Sequence, residues 1–326
     1  KPRQATEEEI LSYHTPIYLN SLRSISRGIS LVDQEKFNLG SGDNPVYRGM
    51  YEAAAWSAGA SLKGAELLST NETDVAFNIS GGLHHAMPGH ASGFCVFNDP
   101  VIAIYALLQH GLRIAYVDID CHHGDGVQSA FYDTDKVLTI SIHESGEFLF
   151  PGTGFTQETG TGNGQGYSVN VPLYPYTTDD VYLWAFSQVV PPILESFRPD
   201  VLVTQLGVDS HYLDPLTHLA LTVQGFCQVV KQFPEFSPKW LALGGGGYEL
   251  HTVARAWSMA YGIMSEQHFP NQLPSSYQSR YGISTLSDSK EPLLSKQQRI
   301  NARKYAENSV MEVQRFIFPA HGLHQT

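Results

Sequence analysis

Three carboxylates and two imidazoles fall within eight positions, Asp118-Ile119-Asp120-Cys121-His122-His123-Gly124-Asp125, directly after the apolar run Ile114-Ala115-Tyr116-Val117. Unpaired charge at the end of a buried strand costs several kcal/mol, so this composition calls for a cation among the side chains. If the strand runs on through the segment, Asp118, Asp120 and His122 point to one face while Ile119 and Cys121 point to the other. A carboxylate and an imidazole two residues apart can then chelate one ion, and Zn²⁺ accepts both ligand types at about 2.0–2.2 Å. The plainer account, a salt-bridged surface carboxylate beside a stacked histidine, leaves five ionisable groups each needing its own partner.

Catalytic zinc usually holds three protein ligands and keeps one position open. Asp209 is the best third candidate, because it follows the run Val201–Leu206 at the same strand-end position that Asp120 and His122 occupy; its other reading is a helix N-cap. His84 and His85 follow a Gly-Gly turn. On a loop, adjacent histidines can approach one substrate from two angles, each needing a carboxylate to fix its tautomer, and Asp118 and Asp125 are spare for that. Gly244–Gly247 leaves the backbone almost unrestricted before Tyr248, whose hydroxyl could donate to an oxyanion. No Lys-Ser/Thr follows, so the run is not a phosphate-cradling loop.

The elements that must position these groups are legible as short apolar runs at Val75–Ile79, Ile114–Val117, Val137–Ile142, Val201–Leu206 and Trp240–Leu243, mostly separated by helix-length segments. Near-continuous apolarity marks strands buried on both faces, which means an α/β fold with a mainly parallel central sheet and helices on both sides. Open α/β sheets place their sites beyond the carboxyl ends of the strands, so the four polar segments should converge on one crevice. Thr6-Glu7-Glu8-Glu9 reads as a capping box opening a helix that carries Ile10, Tyr13, His14 and Ile17. Further expectations are a Gly/Asn-rich loop over 38–45, a small-residue helix over Tyr51–Leu68, a flexible Gly160–Gly166, a Ser-rich surface excursion over Pro274–Pro292 and a last helix near Lys296–Phe316.

The length of 326 residues suits one large α/β domain or two smaller ones. A net charge of −12 argues against a nucleic-acid-coating surface and fits cationic substrates better. Cys95, Cys121 and Cys227 give an odd count without repeating spacing, so neither a disulfide framework nor a multi-cysteine zinc module is expected, and a reducing cytoplasm is the default setting. No apolar stretch approaches the ~20 residues of a membrane span, and Lys1-Pro2-Arg3-Gln4 lacks a leader's apolar core.

Taken in order, Gly-Gly-Leu-His-His-Ala, Asp-Ile-Asp-Cys-His-His-Gly-Asp-Gly-Val, Leu-Gly-Val-Asp and Gly-Gly-Gly-Gly-Tyr resemble one family, the zinc-dependent histone deacetylases, and in particular bacterial deacetylase-like proteins of the acetoin-utilisation type. The likeness runs from Lys1 through Trp257. It implies a three-layer arginase/deacetylase-like fold over a single catalytic domain, residues 1–326. It also implies that Asp120, His122 and Asp209 bind one Zn²⁺, with Fe²⁺ as a substitute, and that His85, paired with Asp125, serves as general base and then general acid. His84, oriented by Asp118, would stabilise charge, and Tyr248 would polarise the acetyl carbonyl.

The same resemblance implies a tunnel for the acetyl-lysine stem walled by Gly93, Phe94 and Phe150, with Leu216 near its mouth and Asp43 holding the substrate backbone. Two structural K⁺ sites are implied, one from Asp118, Asp120, His122, Ser141 and Ile142, the other from Phe131, Thr134, Val137 and Tyr167. Family members begin with an edge strand and a His-, Pro- and Arg-rich loop ahead of the segment matching Lys1, so the expectation here is either a fragment of a longer chain or a sheet without that edge. The implied activity is hydrolysis of acetyl-lysine amides in proteins or peptides. Rival readings are a deacetylase of small acetylated amines such as acetylpolyamines, and a catalytically silent acetyl-lysine-binding protein. A binuclear ureohydrolase wants Asp-x-His-x-Asp, and position 124 is glycine.

Overall fold

The computed structural model describes residues 1–29, 34–40 and 42–325; Ser41, within the loop expected over 38–45, lies outside them. The chain opens with helices α1 (Glu7–Ile10) and α2 (Pro16–Ser26). Thr6 and Glu9 form the expected capping box, each side chain bonded to the other's backbone N–H. The helix does not continue to Ile17 as its periodicity suggests. It ends at Ile10 with Leu11 as its C-cap, and a second helix starts afresh at Thr15, which caps α2 with Pro16 in the first turn, the helical position a proline suits best. His14 is thereby buried and Ile17 left exposed.

Helix α3 (Met50–Ser69) leads into strand β1 (Val75–Asn78), and then come α4 (Asp99–Leu108), β2 (Ile114–Asp118), α5 (Asp125–Ala130), β3 (Val137–Glu144), β4 (Ser168–Leu173), α6 (Asp179–Phe197), β5 (Val201–Gln205), α7 (Val223–Val230), β6 (Trp240–Leu243), α8 (Leu250–Met264), α9 (Ser275–Tyr281) and α10 (Lys296–Ile317). The strands form one sheet in the order β1-β6-β5-β2-β3-β4, every pairing parallel. Successive residues of a strand serve opposite faces. Ala115 and Val117 join the apolar cluster under α6, α7 and α10, whereas Ile114 and Tyr116 join the cluster under α3 and α4.

Strand β4 escapes the apolar-run reading because Ser168, Asn170 and Pro172 interrupt it. It ends the strand order, where a proline removes no needed ladder donor. Its residues are buried because α10 lies over them, with the Ser309 hydroxyl donating to the Pro172 carbonyl at 2.7 Å. The excursion over Pro274–Pro292 contains a helix, α9, which buries none of its residues.

Register brings the strand ends level. Asn78 lies beside Leu243, Leu243 beside Gln205, Gln205 beside Asp118 and Asp118 beside Ser141. The loops that follow these residues therefore start in one row along the carboxyl edge of the sheet.

Candidate active site

Strand β2 stops at Asp118 instead of running on to His122. The backbone N–H groups of Asp120 and His122 turn to the side-chain oxygens of Asp118 (3.1 Å) and Asp120 (2.9 Å), so the segment folds on its own carboxylates. The alternation survives without the ladder, for Ile119 and Cys121 enter the apolar cluster while Asp120 and His122 face the other way.

Asp209, from the loop after β5, meets this segment. One ligand atom each from Asp120, His122 and Asp209 lies within 4.8 Å of the others. His122 Nδ1 is 3.1 Å from Asp120 Oδ1 and 3.0 Å from Asp209 Oδ2. Two oxygens and one imidazole nitrogen are the donor set that a borderline divalent ion such as Zn²⁺ accepts, so the residues fit the ion that the sequence implied. Burial and the nearby Asp120 charge push the Asp209 carboxyl up, whereas His84 and His122 hold Asp120 well below the usual carboxylate range against its own burial. A side chain at position 246 would end this arrangement, because a Cβ there falls 2.2 Å from Asp209 Oδ2. The Gly246 N–H donates to Asp120 Oδ2 at 2.8 Å.

His84 and His85 sit on the loop after β1. Their Nδ1 atoms lie 2.7 Å from Asp118 Oδ2 and 2.7 Å from Asp125 Oδ1 respectively, the carboxylates expected for them. Their Nε2 atoms converge to 3.0 Å. Burial alone would lower both rings' affinity for a proton. The Asp118 and Asp120 charges override it at His84, raised to about 9, while burial and the charge of His84 lower His85 to about 4.

Both histidines line a cavity of about 220 Å³ together with Gly93, Phe94, Asp120, His122 and Tyr248. The Phe94 ring is tilted against Tyr248 at 5.7 Å, and Phe150 packs edge-on to His85 at 5.0 Å. Phe94 and Phe150 are each about half exposed, as a mouth requires. Phe150, Leu216 and Asp43 stand outside the cavity lining and are exposed.

The residues named for two monovalent-cation sites separate along β3. Ser141 pairs in register with Asp118 beside the divalent site, while Val137 lies at the other end with Thr134, whose N–H reaches the Phe131 carbonyl, and Tyr167, whose carbonyl takes the Thr139 N–H.

Several supporting residues were not singled out from sequence. Gln205 Nε2 donates to Asp120 Oδ2 at 2.6 Å, and its Oε1 accepts the Gly207 N–H at 2.7 Å. Buried Asp99 accepts the N–H groups of Gly82 (3.1 Å) and Leu83 (2.9 Å), shaping the turn before the histidines. Asn98 caps α4 through Oδ1 and donates from Nδ2 to the His84 and Ala86 carbonyls. A polar residue closing an apolar strand, and an Asn-Asp-Pro helix start, were the available signals.

Comparison with known proteins gives a concordant result. The model of the family described as "Histone deacetylase domain" matches residues 1–264. The acetoin utilization protein AcuC of Bacillus subtilis is 43% identical over 265 residues, covering 79% of this chain and 68% of the relative. Human histone deacetylase 1 is 42% identical over 277 residues, covering 84% of this chain, which spans 57% of that protein's length. A crystal structure titled as an HDAC homolog complexed with SAHA superposes with a TM-score of 0.88 at 33% identity, covering 96% of this chain and 87% of that one. An HDAC homolog from Aquifex aeolicus gives a TM-score of 0.85 at 34% identity, covering 94% and 87%. These matches confirm the expected fold and lineage: the chain belongs to the histone deacetylase family, in the group that includes the acetoin-utilisation proteins.

Proposed function

We propose that this chain is a zinc-dependent amidohydrolase that removes acetyl groups from acetyl-lysine side chains of proteins. The observation that carries this reading is that His84, His85, Tyr248 and two members of a divalent-ion donor set, Asp120 and His122, line one cavity, with the third member, Asp209, directly behind them. Asp120, His122 and Asp209 would hold the ion, which when bound supplies a Lewis acid for the carbonyl and acidifies water toward a pKa of about 7.

The chain's own groups do the rest. His85 Nε2 takes the proton of the attacking water and returns it to the leaving lysine amine, with Asp125 fixing its ring. His84, braced by Asp118, carries positive charge beside the reacting centre. Tyr248 donates its O–H to the oxygen that gains charge as the carbonyl becomes tetrahedral. Cleavage of the C–N bond then gives acetate and free lysine.

Phe94 against Tyr248 and Phe150 against His85 place two half-exposed rings beside the reacting groups, apolar surface that suits a long aliphatic stem and supports acetyl-lysine over compact amides. Asp43 and Leu216 belong to the same reading as contacts for the substrate outside the tunnel. The register of Ser141 with Asp118 supports the inner K⁺ site, and the carbonyls of Phe131 and Tyr167 support the outer one. Residues 1–326 read as one catalytic unit, because Ala306, Val310, Val313 and Ile317 of α10 share the apolar cluster of the sheet. Three free, buried cysteines support a reducing cytoplasm, and no helix of the described residues is long and apolar enough to cross a membrane.

The test is acetate release from an acetyl-lysine peptide and from acetylputrescine, each with and without a chelator. Chelator-sensitive release from the peptide, exceeding that from the small amine, is the expected result. Preference for acetylputrescine would move the substrate to small amines. Tight peptide binding without any release would make the chain a binding protein.

A further inference from the structure

We propose that Asp214 is a positioning residue that sets Tyr248 in place and ties it to the rim of the site. The inference rests on Tyr248 serving as the oxyanion donor. Asp214 divides its carboxylate between two backbone donors: Oδ2 accepts the Tyr248 N–H at 2.8 Å and Oδ1 accepts the Leu216 N–H at 2.9 Å. The side chain is buried at 8% exposure, and its own N–H is held by the His211 carbonyl at 2.9 Å.

Residues 211–218 are pinned at both ends. His211 Nε2 meets Asp288 Oδ2 at 2.9 Å, and Asp288 also binds Arg255 at 2.8 Å. At the far end Glu144 takes both the His218 N–H and His218 Nδ1 at 2.8 Å, and the Thr217 hydroxyl donates to the Asp209 carbonyl.

Tyr248 follows four glycines, which impose little conformational restraint of their own. Among the described residues its one hydrogen bond is the N–H to Asp214. The glycine run is held at Gly246 by Asp120 Oδ2 and the Val208 N–H, and the Phe94 ring lies against Tyr248, so what Asp214 adds is the hydrogen bond that fixes the Tyr248 backbone to the pinned loop. Leu216, on the other carboxylate oxygen, is 45% exposed. A substrate pressing on Leu216 acts on the same group that holds Tyr248.

A short-range role alone would explain only the Leu216 bond, which closes a turn two residues on. Asp214→Ser separates the roles, since a hydroxyl can still close that turn but cannot reach Tyr248. Hydrogen exchange on the purified chain is expected to show the Tyr248 amide exchanging at least about tenfold faster in this variant, with the Leu216 amide changed by less than about threefold. On an acetyl-lysine peptide, kcat should fall about 10- to 100-fold with KM within about threefold and zinc content unchanged. Tyr248→Phe alone should cost about 10²–10³ in kcat. Adding Asp214→Ser to Tyr248→Phe should cost nothing more, because the group being positioned is already gone.

Asp214→Ala, which removes both acceptors, should speed Tyr248 exchange in the same direction and covers the case in which the serine variant misfolds. Unchanged exchange at Tyr248 in the folded variants, or losses that multiply in the double variant, would overturn the proposal. Wild-type protein inactive on every amide would overturn the deacetylase reading instead, while the exchange measurement would still decide the Asp214 contact.

Discussion

The Nε2 atoms of His84 and His85 face each other at 3.0 Å although both Nδ1 atoms are engaged by carboxylates at 2.7 Å. An ionised carboxylate only accepts, so both Nδ1 positions donate. Two neutral rings would then oppose bare lone pairs at Nε2, and one ring must therefore hold a second proton. The charges select His84, raised to about 9 by Asp118 and Asp120 against its burial, over His85, lowered to about 4 by burial and by His84 itself. His85 keeps the acceptor nitrogen. His85→Ala is expected to lower kcat on an acetyl-lysine peptide by about 10²–10⁴, and His84→Ala added to it should contribute little more, since the pair works as a unit. Independent, multiplying losses would refute the shared proton.

Asp120 and Asp209 place two buried carboxylates around one imidazole, an arrangement that a divalent cation relieves. An ion bound only by the folded state stabilises it by about 2.7 kcal/mol at a hundredfold excess over Kd. Zinc should accordingly raise Tm by several degrees, with about one ion per chain, and Asp209→Asn should abolish both effects. Calorimetry with elemental analysis checks this. Two ions per chain, or a Tm indifferent to chelator, would contradict the mononuclear donor set.

The convergence of the four strand-end loops was legible because parallel topology and apolar runs dictate it, and the pairings of His84 with Asp118 and His85 with Asp125 follow from spare carboxylates on a neighbouring loop. What escaped were features set by competition between local and tertiary bonds. The end of β2 at Asp118 depends on Asp118 and Asp120 capturing backbone N–H groups that a strand would have used. The burial of β4 depends on α10, more than a hundred residues away, and the second helix start at Thr15 and Pro16 overrides a periodicity that runs through it. Gln205 was read as part of an apolar run, and only the register beside Asp118 reveals its amide on Asp120.

His14, buried just ahead of that second helix start, makes a pH prediction. Its Nε2 accepts the Asn98 N–H at 3.0 Å, leaving Nδ1 without a hydrogen bond, and burial lowers the ring to about 4. The folded state binds the proton more weakly than the unfolded chain, near 6.5, so stability is lost as pH falls from about 6.5 toward 4. Between pH 7.5 and pH 5 this amounts to about 2 kcal/mol. His14→Gln retains an acceptor without a charge that titrates. Denaturant unfolding at the two pH values should show the difference between wild type and variant changing by that amount in favour of the variant at pH 5. A constant difference would show that His14 does not titrate in this range.

Gly93 tests whether the cavity wall beside His85 is set by contact. Its φ of +48° lies in the left-handed region, and a Cβ there would stand 2.4 Å from His85 Cδ2 and 3.0 Å from Phe150 Cε1. His85 cannot yield, being held by Asp125 on one nitrogen and His84 on the other. The loop or the half-exposed Phe150 must move instead, narrowing or opening the passage between Phe150 and the histidines. Gly93→Ala is expected to destabilise by about 1–3 kcal/mol and to lower kcat/KM on acetyl-lysine peptides more than tenfold, with zinc content retained. Gly89→Ala is the control. A Cβ there meets nothing nearer than Thr15 Oγ1 at 3.9 Å, so stability should stay within about 0.5 kcal/mol. Equal kinetics for the two variants would mean that the wall beside His85 does not shape access to the site.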